Sequence, residues 1–218
     1  MKRKAVLFDL DGTLLDTLED LCDSVNRVLA ARGFPIHPLD AYRYYVGDGA
    51  ATLFRRVLPE NQNGDEMVQN CLLDFREDYG RNWNVKTKPY PGIEELLDAL
   101  TERGIQMTVL SNKPDETTKK CIEGLLPRWK FAPVLGQREG VPKKPDPAGV
   151  TEITETLGLH PSAFLYLGDT GTDMRTATAA GMFPVGALWG FRTEEELTET
   201  GARALIREPL ELLLYLEG

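Results

Sequence analysis

The amino-acid sequence predicts an α/β fold in which an open, mostly parallel sheet is flanked by helices and interrupted by an inserted helical domain. Six short apolar runs alternate with stretches of helical periodicity. About seventy residues after the first run carry only helical patterns, too many for a single crossover helix. The sequence therefore predicts an α/β core built from 1–16 and 88–218, with a helical domain at 17–87.

The six predicted strands are apolar runs bounded by turn residues, which is the signature of short buried strands. In chain order they cover 4–10, 105–112, 131–137, 163–169, 183–190 and 202–206.

The predicted helices of the core have apolar residues at helical spacing. Gly104 and Gly181 end two of them as C-caps, and Pro114 lies near the start of another. These helices cover 89–104, 114–126, 147–158, 173–181, 193–201 and 209–218, and those of the inserted domain cover 18–33, 50–59 and 65–80.

Composition excludes several classes of protein. The net charge of −9 argues against a nucleic-acid partner, since binding to the phosphate backbone needs a basic face. Three isolated cysteines do not form a disulfide framework and indicate a reducing compartment. No run approaches 18 apolar residues, so we expect no membrane span and a cytoplasmic location.

Polar residues collect where the predicted strands end. The first strand ends in 9–13, the second in 111–113 and the fourth in 168–173, and the lysine-containing segment 143–147 lies between the third and fourth strands. In open α/β sheets the ligand lies outside the carboxyl ends of the strands, so these segments predict a functional site. The segment 189–191 after the fifth strand could line the entrance to this site, but core or surface packing is favoured.

Four aspartates dominate this predicted edge: Asp9, Asp11, Asp169 and Asp173. Two carboxylates about 4 Å apart repel by roughly 4 kcal/mol at an effective dielectric constant near 20, which is about three pKa units. They cannot all be ionised without a cation, and a set of oxygen ligands favours a hard divalent ion. An anionic substrate and few carboxylates favour Mg²⁺ over Ca²⁺.

The lysines and Ser111 supply donors for the oxygens of a phosphoryl group. Backbone N–H groups around Gly12 and Thr13 can add more, because glycine lets the chain approach closely. A carboxylate nucleophile, a second carboxyl group, a metal and a phosphate-sized cradle indicate phosphoryl transfer through an aspartyl-phosphate.

The motifs "DLDGT", "LSNK", "KKPDP" and "LGDTGTD", in this order, resemble the four motifs of the haloacid dehalogenase-like (HAD) hydrolase superfamily. The resemblance spans the chain and implies a Rossmann-like, HAD-like core with an inserted α-helical cap domain. Within the superfamily, "FDLDGTLLDT", "VGDGAATLFRRVL", "NKP" and "AAG" are most similar to phosphoglycolate phosphatases.

The resemblance implies a role for each aspartate. Asp9 would be the nucleophile, and Asp11 would protonate the leaving group and then activate water. Dehalogenases of the superfamily lack this second aspartate, so its presence selects the phosphatase reaction. Mg²⁺ would be held by Asp9, the backbone carbonyl of Asp11, and Asp169, with Asp173 binding directly or through water.

The resemblance also implies which groups contact the substrate. Ser111 and Lys144 would bind phosphoryl oxygens, with Lys144 favoured over the adjacent Lys143 by its "KPDP" context. Asn112 belongs to the predicted phosphate-binding residues. Asn112 and Lys113 would either contact the substrate or support the residues that contact it.

Gly47, Asp48 and Gly49 form the candidate substrate-specificity loop of the cap, and a simple turn between helices is an equally good interpretation. Arg55 and Arg56 could meet a substrate carboxylate, although arginines on a helix more often form a solvated face.

The sequence leaves several functions open. The leading hypothesis is a Mg²⁺-dependent phosphatase for a small phosphorylated metabolite, with phosphoglycolate as the leading substrate. The alternatives are a pyrophosphatase, a nucleotide or sugar phosphatase, a phosphosugar mutase, or a non-catalytic phosphate-binding module. A monomer and a homodimer are both compatible with the sequence.

Overall fold

The structure, a computed structural model, describes residues 2–217 and divides into two compact units. One unit consists of the chain up to Leu15 together with the chain from Pro89 onward, and the other is Asp16–Lys88. The two terminal residues, which fall within the predicted core, lie outside the described residues.

The first unit contains a six-stranded sheet in the order β5-β4-β1-β6-β7-β8, and its paired strands are parallel. This confirms the predicted fold class. Two further strands of two residues, β2 and β3, pair with each other. The strands are β1 (Ala5–Phe8), β2 (Leu15–Asp16), β3 (Lys88–Pro89), β4 (Gln106–Pro114), β5 (Phe131–Gln137), β6 (Phe164–Gly168), β7 (Phe183–Ala187) and β8 (Ala204–Ile206).

The register of the central strands brings their carboxyl ends to one edge. Phe8 of β1 pairs with Val109 of β4 and with Leu167 of β6. The residues that follow these positions therefore emerge side by side. Because β4 and β5 lie on one side of β1 and the later strands on the other, β1 marks the topological switch point, where open α/β sheets bind ligands.

One strand extends further than the sequence predicts. The strand β4 continues to Pro114, two residues beyond the predicted end at Asn112, so the whole of 111–113 lies within the strand. Parallel pairing of Pro114 with Gln137 of β5 sustains the extension.

Helices cover both units. Among the residues that the structure describes, the α-helices are α1 (Leu18–Ala31), α2 (Leu39–Tyr45), α3 (Ala50–Val57), α4 (Asp65–Asn82), α5 (Ile93–Glu102), α6 (Asp115–Leu125), α7 (Ala148–Leu157), α8 (Gly171–Ala179) and α9 (Glu194–Glu199).

The second unit holds α1 to α4, and the sequence missed α2. With seven residues, this helix is too short for its periodicity to stand out. In the core of the unit, the Phe54 ring meets Phe75 edge-on at 5.7 Å, and Phe75 stacks on Tyr79 at 5.1 Å. The last residues of the unit are tied to α1 by the buried Asp20 carboxylate, which accepts hydrogen bonds from the backbone N–H groups of 86–87.

The segment predicted as a helix at 209–218 is instead a 3₁₀-helix, Pro209–Tyr215. Its buried residues Pro209 and Leu212 are spaced three apart, which matches the three-residue turn of a 3₁₀-helix. Among the described residues, no helix has the length and apolar character needed to cross a membrane.

Candidate active site

Lys144 lies between two aspartates. Its Nζ is 2.7 Å from Oδ1 of Asp9, at the end of β1, and 2.7 Å from Oδ1 of Asp173, in the first turn of α8. It also donates to the Leu110 carbonyl at 3.1 Å. All three charged side chains are at least nine-tenths buried. Burial opposes the lysine charge, but Asp173 and Asp9 outweigh it and raise the pKa of Lys144 well above its ordinary value.

Asp9 is held in an unusual environment for a carboxylate. Burial is the main cause of a pKa raised well above the ordinary value, and the charges of Asp173 and Asp169 add to it, while Lys144 opposes it. A lysine alone therefore does not balance the negative charge at this position.

Asp169 follows β6 and is fully buried. Its Oδ1 accepts a hydrogen bond from the Thr13 hydroxyl at 3.0 Å, and its Oδ2 accepts one from the Phe191 backbone N–H at 2.8 Å. Burial and the neighbouring Asp173 raise the pKa of Asp169 to about 7, although these two hydrogen bonds act in the opposite direction.

Asp173 is positioned by a capping box at the start of α8. The Thr170 hydroxyl and backbone N–H both donate to Asp173 Oδ2, at 2.6 and 3.1 Å. Gly168 makes room for this turn, since a Cβ there would lie 2.4 Å from Asp173 Cβ. The "GDTGTD" spacing thus places Asp169 and Asp173 together through helix capping.

Asp11 is paired with Lys113. The lysine Nζ lies 2.9 Å from Oδ1 and 3.2 Å from Oδ2 of Asp11, and its side chain is almost fully buried. Gly12, which follows Asp11, has a positive φ of 90°. It packs so closely against Asp169 that a Cβ on Gly12 would lie 2.3 Å from Asp169 Oδ2. A glycine is therefore required at this position for both backbone conformation and space.

Asn112 and Ser111 lie in β4 beside the lysine loop. The Asn112 amide donates to the Lys144 carbonyl at 3.2 Å and accepts from the Lys144 backbone N–H at 2.9 Å. Ser111 Oγ accepts from the Lys113 backbone N–H at 3.2 Å. The structure thus shows Asn112 holding the lysine loop, and a direct contact between Asn112 and a phosphoryl group stays a prediction.

The carboxylate cluster fits a hard divalent cation. Oxygens of Asp9, Asp169 and Asp173 lie within 4.8 Å of one another, and all three residues are buried. With Asp11 included, four carboxylates face two ammonium groups, which leaves two negative charges. Arg192, which also acts on Asp169, is paired with Glu196 at 3.4 Å. Oxygen ligands and two unmet charges match Mg²⁺.

The Asp11 side chain does not belong to this cluster of three. Its carboxylate is occupied by Lys113, and the expected metal contact of Asp11 through its backbone carbonyl stays a prediction. The Asp11 carboxylate therefore lies apart from the three clustered carboxylates, in an ion pair with Lys113.

The predicted specificity loop lies in the second unit. Gly47, Asp48 and Gly49 connect α2 to α3, and both glycines have a positive φ, of 108° and 85°. The turn between helices that the sequence left open is therefore present. Whether the loop also contacts a substrate stays a prediction.

Arg55 and Arg56 of α3 both have partners within the second unit. Arg55 is paired with Asp65. Arg56 is paired with Asp48 and donates to two carbonyls at the end of α2, those of Tyr44 at 3.2 Å and Tyr45 at 3.0 Å. The Arg56 contacts brace the turn between α2 and α3 from inside the unit.

The sequence favours packing for 189–191 over a place at the entrance to the site, and the structure shows that the segment also lies directly against the site. Trp189 Nε1 donates to the Thr13 carbonyl at 3.0 Å. A Cβ on Gly190 would lie 2.2 Å from Asp169 Cβ, so the backbone passes directly against this aspartate. The segment follows β7, the neighbour of β6, and that position in the sheet was the one signal pointing to the site.

Comparisons with known proteins agree with this architecture. The sequence model of the family "Haloacid dehalogenase-like hydrolase" matches residues 6–187. The phosphoglycolate phosphatase of Pseudomonas putida is 33% identical over 192 residues, which cover 86% of this chain and 70% of that protein. The phosphoglycolate phosphatase of Aquifex aeolicus is 35% identical over 188 residues, which cover 86% of each.

A solved structure extends the comparison. The crystal structure of a predicted phosphoglycolate phosphatase from Haemophilus somnus superposes with a TM-score of 0.89 at 25% identity, covering 98% of both chains. The chain belongs to the haloacid dehalogenase-like hydrolase family. It is an enzyme, a hydrolase of the phosphoric monoester class.

Proposed function

We propose that the chain is a Mg²⁺-dependent phosphatase that hydrolyses a small phosphomonoester, with phosphoglycolate as the leading substrate, through an aspartyl-phosphate intermediate. The observation that carries this proposal is the buried cluster at the end of β1, in which Lys144 contacts both Asp9 and Asp173 at 2.7 Å. The phosphoglycolate phosphatases of Pseudomonas putida and Aquifex aeolicus, at 33% and 35% identity, support the substrate.

The first chemical step forms a bond between an Asp9 carboxylate oxygen and phosphorus. The bond from phosphorus to the leaving alkoxide breaks at the same time, and the Asp11 carboxyl group donates a proton to that alkoxide. The Asp11 side chain lies outside the group of three carboxylates, so it is not committed as one of their shared metal ligands.

The second step hydrolyses the intermediate. Asp11, now a carboxylate, takes a proton from water as the water attacks phosphorus, and the bond between Asp9 oxygen and phosphorus breaks to release phosphate. The buried Lys113 ammonium faces Asp11 and stabilises its charged form between the two steps. Each step returns Asp11 to the protonation state that the next one needs.

The remaining groups bind and orient the phosphoryl group. Lys144 neutralises part of the negative charge at Asp9, while the Ser111 hydroxyl and the backbone around Gly12 and Thr13 provide hydrogen-bond donors. When bound by Asp9, Asp169 and Asp173, Mg²⁺ would supply positive charge for the phosphoryl oxygens and for the carboxylates together.

The helical unit Asp16–Lys88 is proposed to act as a cap domain, with Gly47, Asp48 and Gly49 as its specificity loop. Caps of this kind exclude water and choose the substrate. The closely braced turn between α2 and α3 supports the assignment, because a loop of defined shape is needed for selection.

The test is phosphate release from a panel containing phosphoglycolate, pyrophosphate, nucleoside monophosphates and sugar phosphates, with Mg²⁺ and with EDTA. We expect Mg²⁺-dependent release that is fastest for phosphoglycolate. A different preferred substrate would overturn the substrate assignment alone, whereas equal rates in Mg²⁺ and EDTA would overturn the metal dependence. The Asp9→Asn variant, expected to be inactive, tests the nucleophile.

A further inference from the structure

We infer that Trp189 is a positioning residue for the proposed reaction, because its indole N–H fixes the loop that carries the nucleophile and, through that loop, the orientation of Asp169. The inference rests on the proposed function, and it assigns work to a residue that neither the motifs nor the metal cluster include.

The contacts form a closed path between two loops. Trp189 Nε1 donates to the Thr13 carbonyl, the Thr13 hydroxyl donates to Asp169 Oδ1, and Asp169 Oδ2 accepts from the Phe191 N–H. Trp189 and Phe191 are two residues apart, so one short segment after β7 holds both ends of the path. A change at either end therefore reaches Asp169.

Because Thr13 is buried, its carbonyl depends on the hydrogen bond from Trp189. Thr13 is fully buried. Among the described residues, the donor to its carbonyl is Trp189 Nε1. Since a buried carbonyl requires a partner, loss of the indole N–H would favour a different backbone arrangement at Thr13. Thr13 lies four residues beyond Asp9, and its hydroxyl would move with its backbone.

The indole ring lies partly outside the buried core. Trp189 is only half-buried and lines one wall of a cavity of about 360 Å³, together with Tyr90, Pro91 and Pro209. A replacement that keeps the shape of the ring but lacks the N–H therefore separates the hydrogen bond from packing.

The proposed bracing predicts a specific kinetic signature. Without the Trp189 hydrogen bond, the Asp169 carboxylate would lose its fixed orientation. Mutation of a group that orients a metal ligand typically changes metal affinity or activity by about 10- to 100-fold. Lys144 and Ser111 lie on other segments, so substrate affinity should change less than Mg²⁺ affinity, even though the backbone at Thr13 belongs to the proposed phosphate-binding groups.

The experiment removes only the N–H. Trp189 is replaced by β-(3-benzothienyl)alanine, which keeps the shape of the indole and has sulfur in place of the N–H, and in a second variant by phenylalanine. Trp129 receives the same replacements as a matched control, since its Nε1 also donates within this unit, at 2.8 Å, but to Asp98 of α5. Mg²⁺ affinity is measured by calorimetry without substrate, and kcat and KM are measured separately.

We expect both Trp189 replacements to weaken Mg²⁺ binding by about tenfold or more and to lower kcat, with a smaller change in KM than in Mg²⁺ affinity and the Trp129 variants unchanged. Wild-type Mg²⁺ affinity in the benzothienyl variant would overturn the inference, whatever the enzyme hydrolyses. A wild-type protein that binds Mg²⁺ but hydrolyses no phosphomonoester would overturn the proposed function and leave the calorimetric test of Trp189 intact. A wild-type protein with neither property would overturn both.

Discussion

The side-chain amide of Asn112 makes two hydrogen bonds with the backbone of Lys144, donating to its carbonyl at 3.2 Å and accepting from its N–H at 2.9 Å. The two residues are 32 positions apart in sequence, one in β4 and the other in the loop before α7. This pairing fixes the backbone from which the Lys144 side chain reaches Asp9. The position of the buried ammonium group therefore depends on an amide that does not touch it.

Replacement of Asn112 by alanine should lower kcat/KM by about 10- to 100-fold, because a displacement of the order of 1 Å in a catalytic group has effects of this size. The far-ultraviolet circular dichroism should not change. Phosphate release and KM in the Asn112→Ala variant are the measurements. Lys143→Ala serves as the control, since Lys143 is exposed and adjacent to Lys144. Equal losses of kcat/KM in both variants would show that a general disturbance of the loop, and not the position of Lys144, lowers the activity.

Replacement of Asp11 by asparagine should separate the two chemical steps. With an alkyl phosphomonoester the rate should fall by about 10²- to 10⁴-fold, because the alkoxide leaving group needs a proton. With p-nitrophenyl phosphate the leaving group needs none, so the first step should remain fast while hydrolysis of the intermediate becomes slow. Rapid-quench kinetics should then show a burst of p-nitrophenol close to one equivalent of enzyme.

The burst has a clear control. Asp9→Asn should abolish it, since that variant lacks the attacking carboxylate. If Asp11→Asn slowed both substrates equally and gave no burst, Asp11 would not be the general acid, and its ion pair with Lys113 would have a structural role instead.

The sheet and the meeting of the charged segments were predictable from the sequence for a simple reason. Ala5–Phe8 is completely buried, so the strand consists of apolar residues and is visible as such. Carboxyl ends of parallel strands share one edge, and residues after β1 and β6 had to emerge together. The structure brings Asp9, Asp169 and Asp173 together, and their chemical roles stay predictions.

The supporting contacts were not predictable in the same way. The bond from Asn112 to Lys144 joins segments with no local pattern that relates them. Phe191 acts on Asp169 through a backbone N–H, which every residue other than proline possesses. Such contacts are consequences of register and loop path, so they are visible only once the fold is known.

The pKa of Asp169 predicts how stability depends on pH when magnesium is removed. Burial, with a contribution from Asp173, raises this pKa to about 7, whereas an unfolded aspartate titrates at about 3.9. The folded chain thus binds more protons than the unfolded chain between these values. The contribution of protonated Asp169 to the free energy of unfolding is fully present below about pH 4 and is lost as the pH rises through about 7.

In EDTA the melting temperature should accordingly fall between pH 5 and pH 7.5, and added Mg²⁺ should raise it more at pH 7.5 than at pH 5. Asp169→Asn should reduce both effects, because the amide does not titrate. Glu155→Gln, which removes one charge at an exposed position of α7, controls for general charge repulsion. An unchanged pH dependence in Asp169→Asn would place the titrating group elsewhere. Differential scanning calorimetry in EDTA and in Mg²⁺, at pH 5 and at pH 7.5, gives the four melting temperatures to compare for each protein.

Arg56 offers a test of the proposed specificity loop that is independent of the carboxylate cluster. Its guanidinium joins Asp48 to the two carbonyls at the end of α2, and a planar group with several donors is suited to such a junction. Without it, Gly47 and Gly49 give the loop little conformational restraint. Loss of a selecting loop affects binding more than chemistry, so Arg56→Met should raise KM about tenfold and leave kcat largely unchanged.

Arg55→Met is the matched control, since Arg55 is adjacent, lies on the same helix and pairs with Asp65 instead of the loop. Its KM should remain close to that of the wild type. Arg56→Lys should recover only part of the loss, because an ammonium group cannot reach the Asp48 carboxylate and both carbonyls in one plane. Steady-state kinetics on phosphoglycolate and on a larger sugar phosphate decide the issue. A loosened selecting loop should narrow the difference in kcat/KM between the two substrates, whereas an equal fall for both would mean that Arg56 supports the helical unit without selecting the substrate.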